Sequence, residues 1–270
     1  MNRSKLKPLS IFAIIAYSII QSAVCQTFSE WRGEGRTGVY NETGLLRKWP
    51  EKGPEMLWSA TGIPKGNSSV AVGDRKLYVT GTRDSVEVLI AFDRKGNKLW
   101  ETPYGRAWTR LFPESRCTPT IEDDRIYVTS GVLDAACINA DNGKIIWSVK
   151  VSDKFEGAFG YYGRAESLIV LDNKVFFTPG GKMTTMVALD KFTGETIWTS
   201  ESLNESSRYA SSLYIDRNGN QIIVCLTEKY IFGFAAKDGK ILWKFDYGAL
   251  AVKHENEQQI HLYFGMAGYL

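Results

Sequence analysis

A chain of 270 residues that is 44% hydrophobic and 13% aromatic can bury a sizeable core, which excludes a disordered or low-complexity tract. Its formal charge of +3 is carried by its first residues: without Arg3, Lys5 and Lys7 the remainder holds 30 basic and 30 acidic side chains. A neutral chain with no basic stripe excludes nucleic acid as its partner.

Residues 1–25 predict a secretory signal peptide, in which three cations lead into the apolar run Ile11–Ile20 and then small residues at Ala23 and Cys25. The run is too short to span a bilayer comfortably and no other segment qualifies. The mature chain is therefore expected to be exported, periplasmic or secreted, with no transmembrane span. The alternative makes Cys25 the lipidated first residue of a lipoprotein. Val24 is large for the position beside such a cysteine, which favours simple cleavage. Cys137 and Cys225 lie in apolar runs and read as small buried hydrophobes, and no cysteine has metal-ligand spacing.

Residues 26–57 form an N-terminal lead-in. Within it Gly33-Glu34-Gly35-Arg36-Thr37-Gly38 fits G-x-G-x-x-G literally, but no helical period follows, so it reads as a Gly-rich loop rather than a dinucleotide fingerprint.

Residues 58–248 repeat one phrase. Four segments, AFDRKGNKLW, CINADNGKIIW, ALDKFTGETIW and GFAAKDGKILW, close on Trp100, Trp147, Trp198 and Trp243, spaced 47, 51 and 45 residues apart. Trp58 lies 42 residues before the first. A period of 40–50 residues marks a repeat architecture. Each unit opens on small residues, passes through a turn at 73–74, 123–124, 172–173 or 218–220, and continues into a second strand. A third strand begins near Leu89, Ala136, Val187 or Phe232, and a turn at Gly96, Gly143, Gly194 or Gly239 leads to the fourth, which carries the Trp. Four short antiparallel strands per unit predict an all-β propeller of about four blades, with the Trp rings packing between blades. The first phrase is one residue shorter between Ala91 and Trp100.

After Tyr247 the pattern fails, and residues 249–270 read as an aberrant tail carrying both histidines, His254 and His261. Back-translated in a shifted frame, residues 257–269 can yield the opening of a further blade. The expectation is a partial, truncated ring. A closed four-bladed ring would instead need residues 55–60 to complete the last blade.

The phrase complete as Ala188, Asp190, Thr193, Gly194 and Trp198 resembles the tryptophan-docking repeat of the pyrroloquinoline-quinone-like β-propellers. Trp31-Arg32-Gly33, Arg36, Gly38, Glu42 to Leu45 and Trp49-Pro50 look like the opening of the exported bacterial members. The resemblance covers roughly residues 28–248. It implies either a non-catalytic scaffold, as in the lipoprotein that helps assemble outer-membrane proteins, or a fragment of a quinone-dependent alcohol dehydrogenase. The dehydrogenases place adjacent cysteines over the quinone and hold calcium with carboxylate and amide groups. This chain has no adjacent cysteines, so a cofactor-free binding or scaffold module is favoured, without catalytic or metal-binding residues.

Glu122-Asp123-Asp124 reads as a solvated turn rather than a metal site. The candidate binding residues precede the small-residue openings: Arg116, Arg164 with Glu166, and Arg208 with Tyr209. If inner strands line the channel, these converge on one cationic, aromatic-edged rim that takes a protein partner or small ligand. Trp108, Arg110, Tyr161 and Tyr162 lie in the same inter-blade loops. The competing reading pairs Arg164 with Glu166 and leaves the others to cap strand ends.

Overall fold

Short runs of β-branched and aromatic residues, cut by Asp, Asn and Gly, can pair only as up-and-down hairpins. The computed structural model describes residues 28–158 and 160–250 and shows that pattern repeated four times. The expected signal peptide, Cys25, His254 and His261 lie outside the described residues. Strand β1 (Phe28–Ser29) comes first. The first blade contains β2 (Ala71–Val72), β3 (Lys76–Arg83), β4 (Val86–Asp93) and β5 (Lys98–Arg106). The second contains β6 (Thr120–Glu122), β7 (Arg125–Thr129), β8 (Asp134–Asn139) and β9 (Ile145–Lys150), followed by the short helix α1 (Val151–Lys154). The third contains β10 (Ile169–Leu171), β11 (Lys174–Phe177), β12 (Val187–Asp190) and β13 (Thr196–Thr199). The fourth contains β14 (Leu213–Arg217), β15 (Asn220–Leu226), β16 (Tyr230–Ala235) and β17 (Ile241–Asp246). Each blade is an antiparallel meander, and β1 adds a fifth strand to the second by pairing with β6.

The repeated phrase has one geometry. In every blade the Trp pairs across from a small residue: Ala91, Cys137, Ala188 or Gly233. A register shift beside that pair leaves Leu99, Ile146, Ile197 and Leu242 as the extra residue of a bulge. The bulge re-aims the indole onto the next blade. A Cβ on Gly143 would stand 2.8 Å from the ring of Trp100, on Gly194 2.9 Å from Trp147, and on Gly239 2.5 Å from Trp198. These glycines hold φ between 72° and 74°, so the same residue permits both the turn and the close approach. The shorter first phrase closes a tighter turn. Gly96 N–H donates to Asp93 three residues back, whereas Gly143, Gly194 and Gly239 donate to residues four back.

The small-residue openings form a hydrogen-bonded belt near the axis. Ser69 N–H donates to Thr118 Oγ1 (3.1 Å), Thr118 N–H to Ser167 Oγ (3.0 Å), and Ser167 N–H to Ser211 Oγ (2.9 Å). Each hydroxyl accepts an amide of the preceding blade, and at Thr118 that amide is buried and would otherwise lack an acceptor. The cores lie between blades: Tyr78, Leu89, Ile126 and Ile138 between the first two, Tyr127, Leu168, Val175 and Leu189 between the next, and Phe176, Trp198, Phe232 and Phe234 between the last.

The ends differ. On the first blade's outer side Val79, Val88, Ile90 and Phe92 are buried beneath residues 58–64, with Trp58 against Gly96 and Pro64 against Gly81. Residues 55–60 therefore cover the first blade and do not complete the fourth, whose sheet contains only β14–β17. On the fourth blade Leu213, Ile215, Trp243 and Phe245 are exposed, and among the described residues no segment covers them.

Candidate functional site

The loops from each outer strand to the next inner strand meet at one rim, and the five candidate residues stand there in contact. Arg116 is 7% exposed. Its guanidinium lies 5.2 Å from the centre of the Tyr209 ring, donates to Tyr162 O (3.1 Å), and donates to Phe112 O. One buried cation thus ties three loops. Arg164 donates to Arg208 O and Thr178 O, and pairs with Glu166 at 2.9 Å, both side chains being buried. Glu166 also accepts from Thr178 N–H, Thr178 Oγ1 and Ser212 Oγ. Arg208 is partly exposed and faces Glu228 at 3.6 Å. Burial raises the Tyr209 hydroxyl above its ordinary value, opposed by the Arg116 charge, so the ring stays neutral beneath the cation.

The expected convergence is present, but the rim has a different electrical character. The Arg116 and Arg164 guanidiniums are turned inward and engaged, so what faces outward is aromatic. Phe112 is 62% exposed, Tyr161 67% and Tyr162 44%. Tyr161 and Tyr162 meet edge to face at 5.4 Å, and Phe112 stands 6.1 Å from Tyr162. Phe112 holds φ at 52°, a conformation costly for a bulky residue and sustained here by the Arg116 bond to its carbonyl. Arg110 stacks on Trp108, whose ring lies against Gly163.

Two buried charged groups carry no sequence signal of their own. The lead-in folds as a plug: the 3-10 turn Glu34–Arg36 follows β1, and Arg36 is 3% exposed. Its guanidinium pairs with Glu30 (2.8 Å) and donates to the carbonyls of Ser167 (2.8 Å), Ser212 (3.0 Å) and Leu168. Burial lowers the Arg36 pKa, with Glu30 opposing the shift. The Gly-rich loop thus aims one arginine between the third and fourth blades. Glu87 is 1% exposed and accepts from Tyr104 Oη (2.7 Å) and Gly131 N–H (2.7 Å). Burial raises its pKa despite these bonds and the Arg116 charge. Only tertiary burial distinguishes Arg36 and Glu87 from other charged residues.

Glu122 is a correction to the solvated-turn reading. Its carboxylate pairs with Lys191 at 2.6 Å, both side chains largely buried, and links the second blade to the third. Asp123 does occupy the turn, with φ 54°. Among the described residues no cluster of three or more His, Cys, Asp or Glu could hold a metal ion. Cys117, Cys137 and Cys225 are free and buried, and burial pushes the Cys117 and Cys137 thiols up to about 12, which makes all but a trace of each protonated at neutral pH.

Pyrroloquinoline quinone, the group the resemblance implies, is a flat tricarboxylate that needs free cations around a slot. The buried cations beside the axis do not fit it: Arg36, Arg116 and Arg164 are already committed to Glu30, Glu166, backbone carbonyls and the Tyr209 ring.

Four-stranded meanders joined by docked tryptophans, with loops gathered at one rim, define a β-propeller of the pyrroloquinoline-quinone-like repeat class. Within that class the chain belongs to the family described as outer membrane protein assembly factor BamB, which matches residues 85–256. Solved structures similar to it include the quinohemoprotein alcohol dehydrogenase ADHIIG from Pseudomonas putida HK5, at 15% identity and TM-score 0.48 over 66% of this chain and 34% of that one. BamB from Moraxella catarrhalis is similar at 15% identity and TM-score 0.44, over 72% of this chain and 53% of that one. A europium-containing methanol dehydrogenase gives 12% identity and TM-score 0.49, over 66% and 41%. The chain spans between a third and about half of these proteins. No curated protein sequence matches it.

Proposed function

We propose that the chain is an exported, non-catalytic binding or scaffold module of the periplasm, whose contact surface is the aromatic rim built on Arg116. The observation that supports this is the buried guanidinium holding Phe112 and Tyr162 by their carbonyls while their rings stay exposed. Exposed aromatics on a pre-ordered backbone lose little entropy on binding, and such side chains carry most of the energy of protein interfaces. Tyr209 and Arg208 extend the rim, while Arg164 and Glu166 fix its floor. The proposed partner is a protein of outer-membrane assembly, in keeping with the family description.

Cells lacking the chain should contain less assembled outer-membrane protein. The wild type should restore it, and a Phe112→Ser, Tyr161→Ser variant, altered only at exposed side chains, should not. Full restoration by that variant would remove the rim from the mechanism. Dye reduction by the pure protein with pyrroloquinoline quinone and calcium would instead support the dehydrogenase-fragment reading.

A further inference from the structure

Of the buried acids, Asp134 pairs with Arg106 and Glu166 with Arg164, but Glu87 has no ion pair among the described residues. Its donors are neutral: Tyr104 Oη on one oxygen and Gly131 N–H on the other, with Ser115 beside them. A glutamine would make the same contacts without the cost of a buried charge, because Tyr104 Oη can turn to Thr129 O at 3.3 Å. What the carboxyl adds is its charge and its proton.

Both lie beneath the rim. The ladder between β4 and β5 carries a second register shift that the other three blades lack, and Tyr104 is its extra residue. The bulge turns the Tyr104 hydroxyl onto Glu87. Gly131, held on the other oxygen, is where the two aromatic loops meet. A Cβ there would stand 2.7 Å from Trp108 Cβ, and Gly131 O accepts from Arg164 N–H at 3.0 Å. Trp108 leads to Phe112 along one loop, and Tyr161 and Tyr162 immediately precede Gly163 and Arg164 on the other. The Arg116 charge acts on Glu87, and Arg116 itself holds the carbonyls of Phe112 and Tyr162.

We propose that Glu87 is a positioning residue of the rim, and that taking up a proton there slackens both aromatic loops. The neutral acid gives Gly131 an ordinary hydrogen bond in place of a charge-assisted one. It also leaves the buried Arg116 guanidinium without the anion that balances it, which favours release of the two carbonyls. This rests on the rim being the contact surface, and partner binding there should weaken as pH falls. The groups facing Glu87 do not titrate in the acid range. Tyr104 is pushed well above 10 and Cys117 up to about 12 by burial, and arginine does not deprotonate in proteins. Glu166 acts on the same Cys117, and a Glu87 variant separates its titration from that of Glu87.

The test is hydrogen exchange of the full chain read by mass spectrometry, corrected for the intrinsic pH dependence of exchange. It follows residues 107–116 and 160–166 without any partner, so its outcome is independent of whether the Phe112→Ser, Tyr161→Ser variant supports assembly. Both loops should lose protection about tenfold as pH falls through the raised Glu87 pKa, while the strands of the third blade stay unchanged. Glu87→Gln should sit at the low-pH level throughout. Tyr104→Phe removes a donor to the charged form and should move the midpoint to higher pH. Should Glu87→Gln fail to fold, the wild-type profile and the Tyr104→Phe midpoint still decide. Wild-type loops indifferent to pH, a transition that survives in Glu87→Gln, a Tyr104→Phe midpoint that stays or falls, or an equal loss in the third blade would each overturn the proposal.

Discussion

The indole of Trp147 rests against Gly194 of the following blade, and its Nε1 donates to Lys191 O at 2.9 Å. The two residues lie at the same end of the repeated phrase, one unit apart, so each copy of the phrase supplies both a ring and a seat. Trp198 repeats the arrangement on Gly239 and Ala236. Trp100 keeps the seat on Gly143 but loses the hydrogen bond: Ala140 O, at the position corresponding to Lys191 O, already accepts from Tyr78 Oη (3.1 Å) and Lys76 Nζ (3.0 Å). Trp100 Nε1 is consequently buried without a partner.

Gly194→Ala should cost more than a glycine change in an open turn. The left-handed backbone alone costs about 1–2 kcal/mol for an L-residue. At Gly194 the new Cβ must also push the Trp147 ring away. Gly219 has φ 79° but nothing within 4 Å, so Gly219→Ala should show only the backbone part. Trp147→Ala should cost about 3–5 kcal/mol, and the Trp147→Ala, Gly194→Ala pair should be less than additive because the second change no longer meets a ring. Urea unfolding of the four variants measures this.

Arg36→Ala should destabilise by about 3–5 kcal/mol, since it strands Glu30 and three carbonyls in a buried site. Arg36→Lys should recover little. One ammonium cannot reach Glu30 and the carbonyls of two blades at once. Urea midpoints would show the difference. A midpoint for Arg36→Lys equal to wild type would mean that charge, not the fork of donors, holds the plug.

The blades were legible because their signal is local and repeated. A turn glycine, a small residue across the ladder and a Trp recur at fixed spacing, and chain geometry converts that spacing into packing. The belt of Ser and Thr was visible only as small-residue openings, since hydroxyl partners lie 44 to 49 residues away. Arg36 was not legible at all. In sequence it is one charged residue in a Gly-rich loop, and its burial follows from β1 pairing with β6, a match of two residues. The rim residues share a position in the sequence, each just before an inner strand. The direction of each guanidinium depends on carbonyls contributed by other loops, and no spacing in the chain encodes that.

Arg164 and Glu166 should behave as a unit. Removing either charge should cost about 3–5 kcal/mol, because the survivor stays buried. The Arg164→Met, Glu166→Gln variant should cost less than the two single losses together, since Gln can still accept from Thr178. Chemical denaturation of the double-mutant cycle gives the coupling directly, and strict additivity would mean that the pair does not act together.

Glu87 predicts how stability responds to acid. Burial raises its carboxyl above 4.5 in the folded state, while in the unfolded chain it titrates near that ordinary value. The folded state therefore binds this proton more readily than the unfolded state. The group's unfavourable contribution is fully present above the raised pKa, and it is relieved as pH falls through that value toward 4.5. Tyr104, Arg116 and Cys117 are ionisable groups that interact with it, and the Cys117 thiol is held protonated by burial. Tyr104 is itself pushed well above 10 by burial and by Glu87, so it remains a neutral donor throughout the range. Glu87→Gln keeps an acceptor for Gly131 and removes the titration. Wild type should thus gain stability relative to the variant as pH falls through the raised pKa toward 4.5, and the gap between their urea midpoints should change with pH. Parallel curves across that range would show that Glu87 titrates alike in both states and that its burial carries no proton linkage.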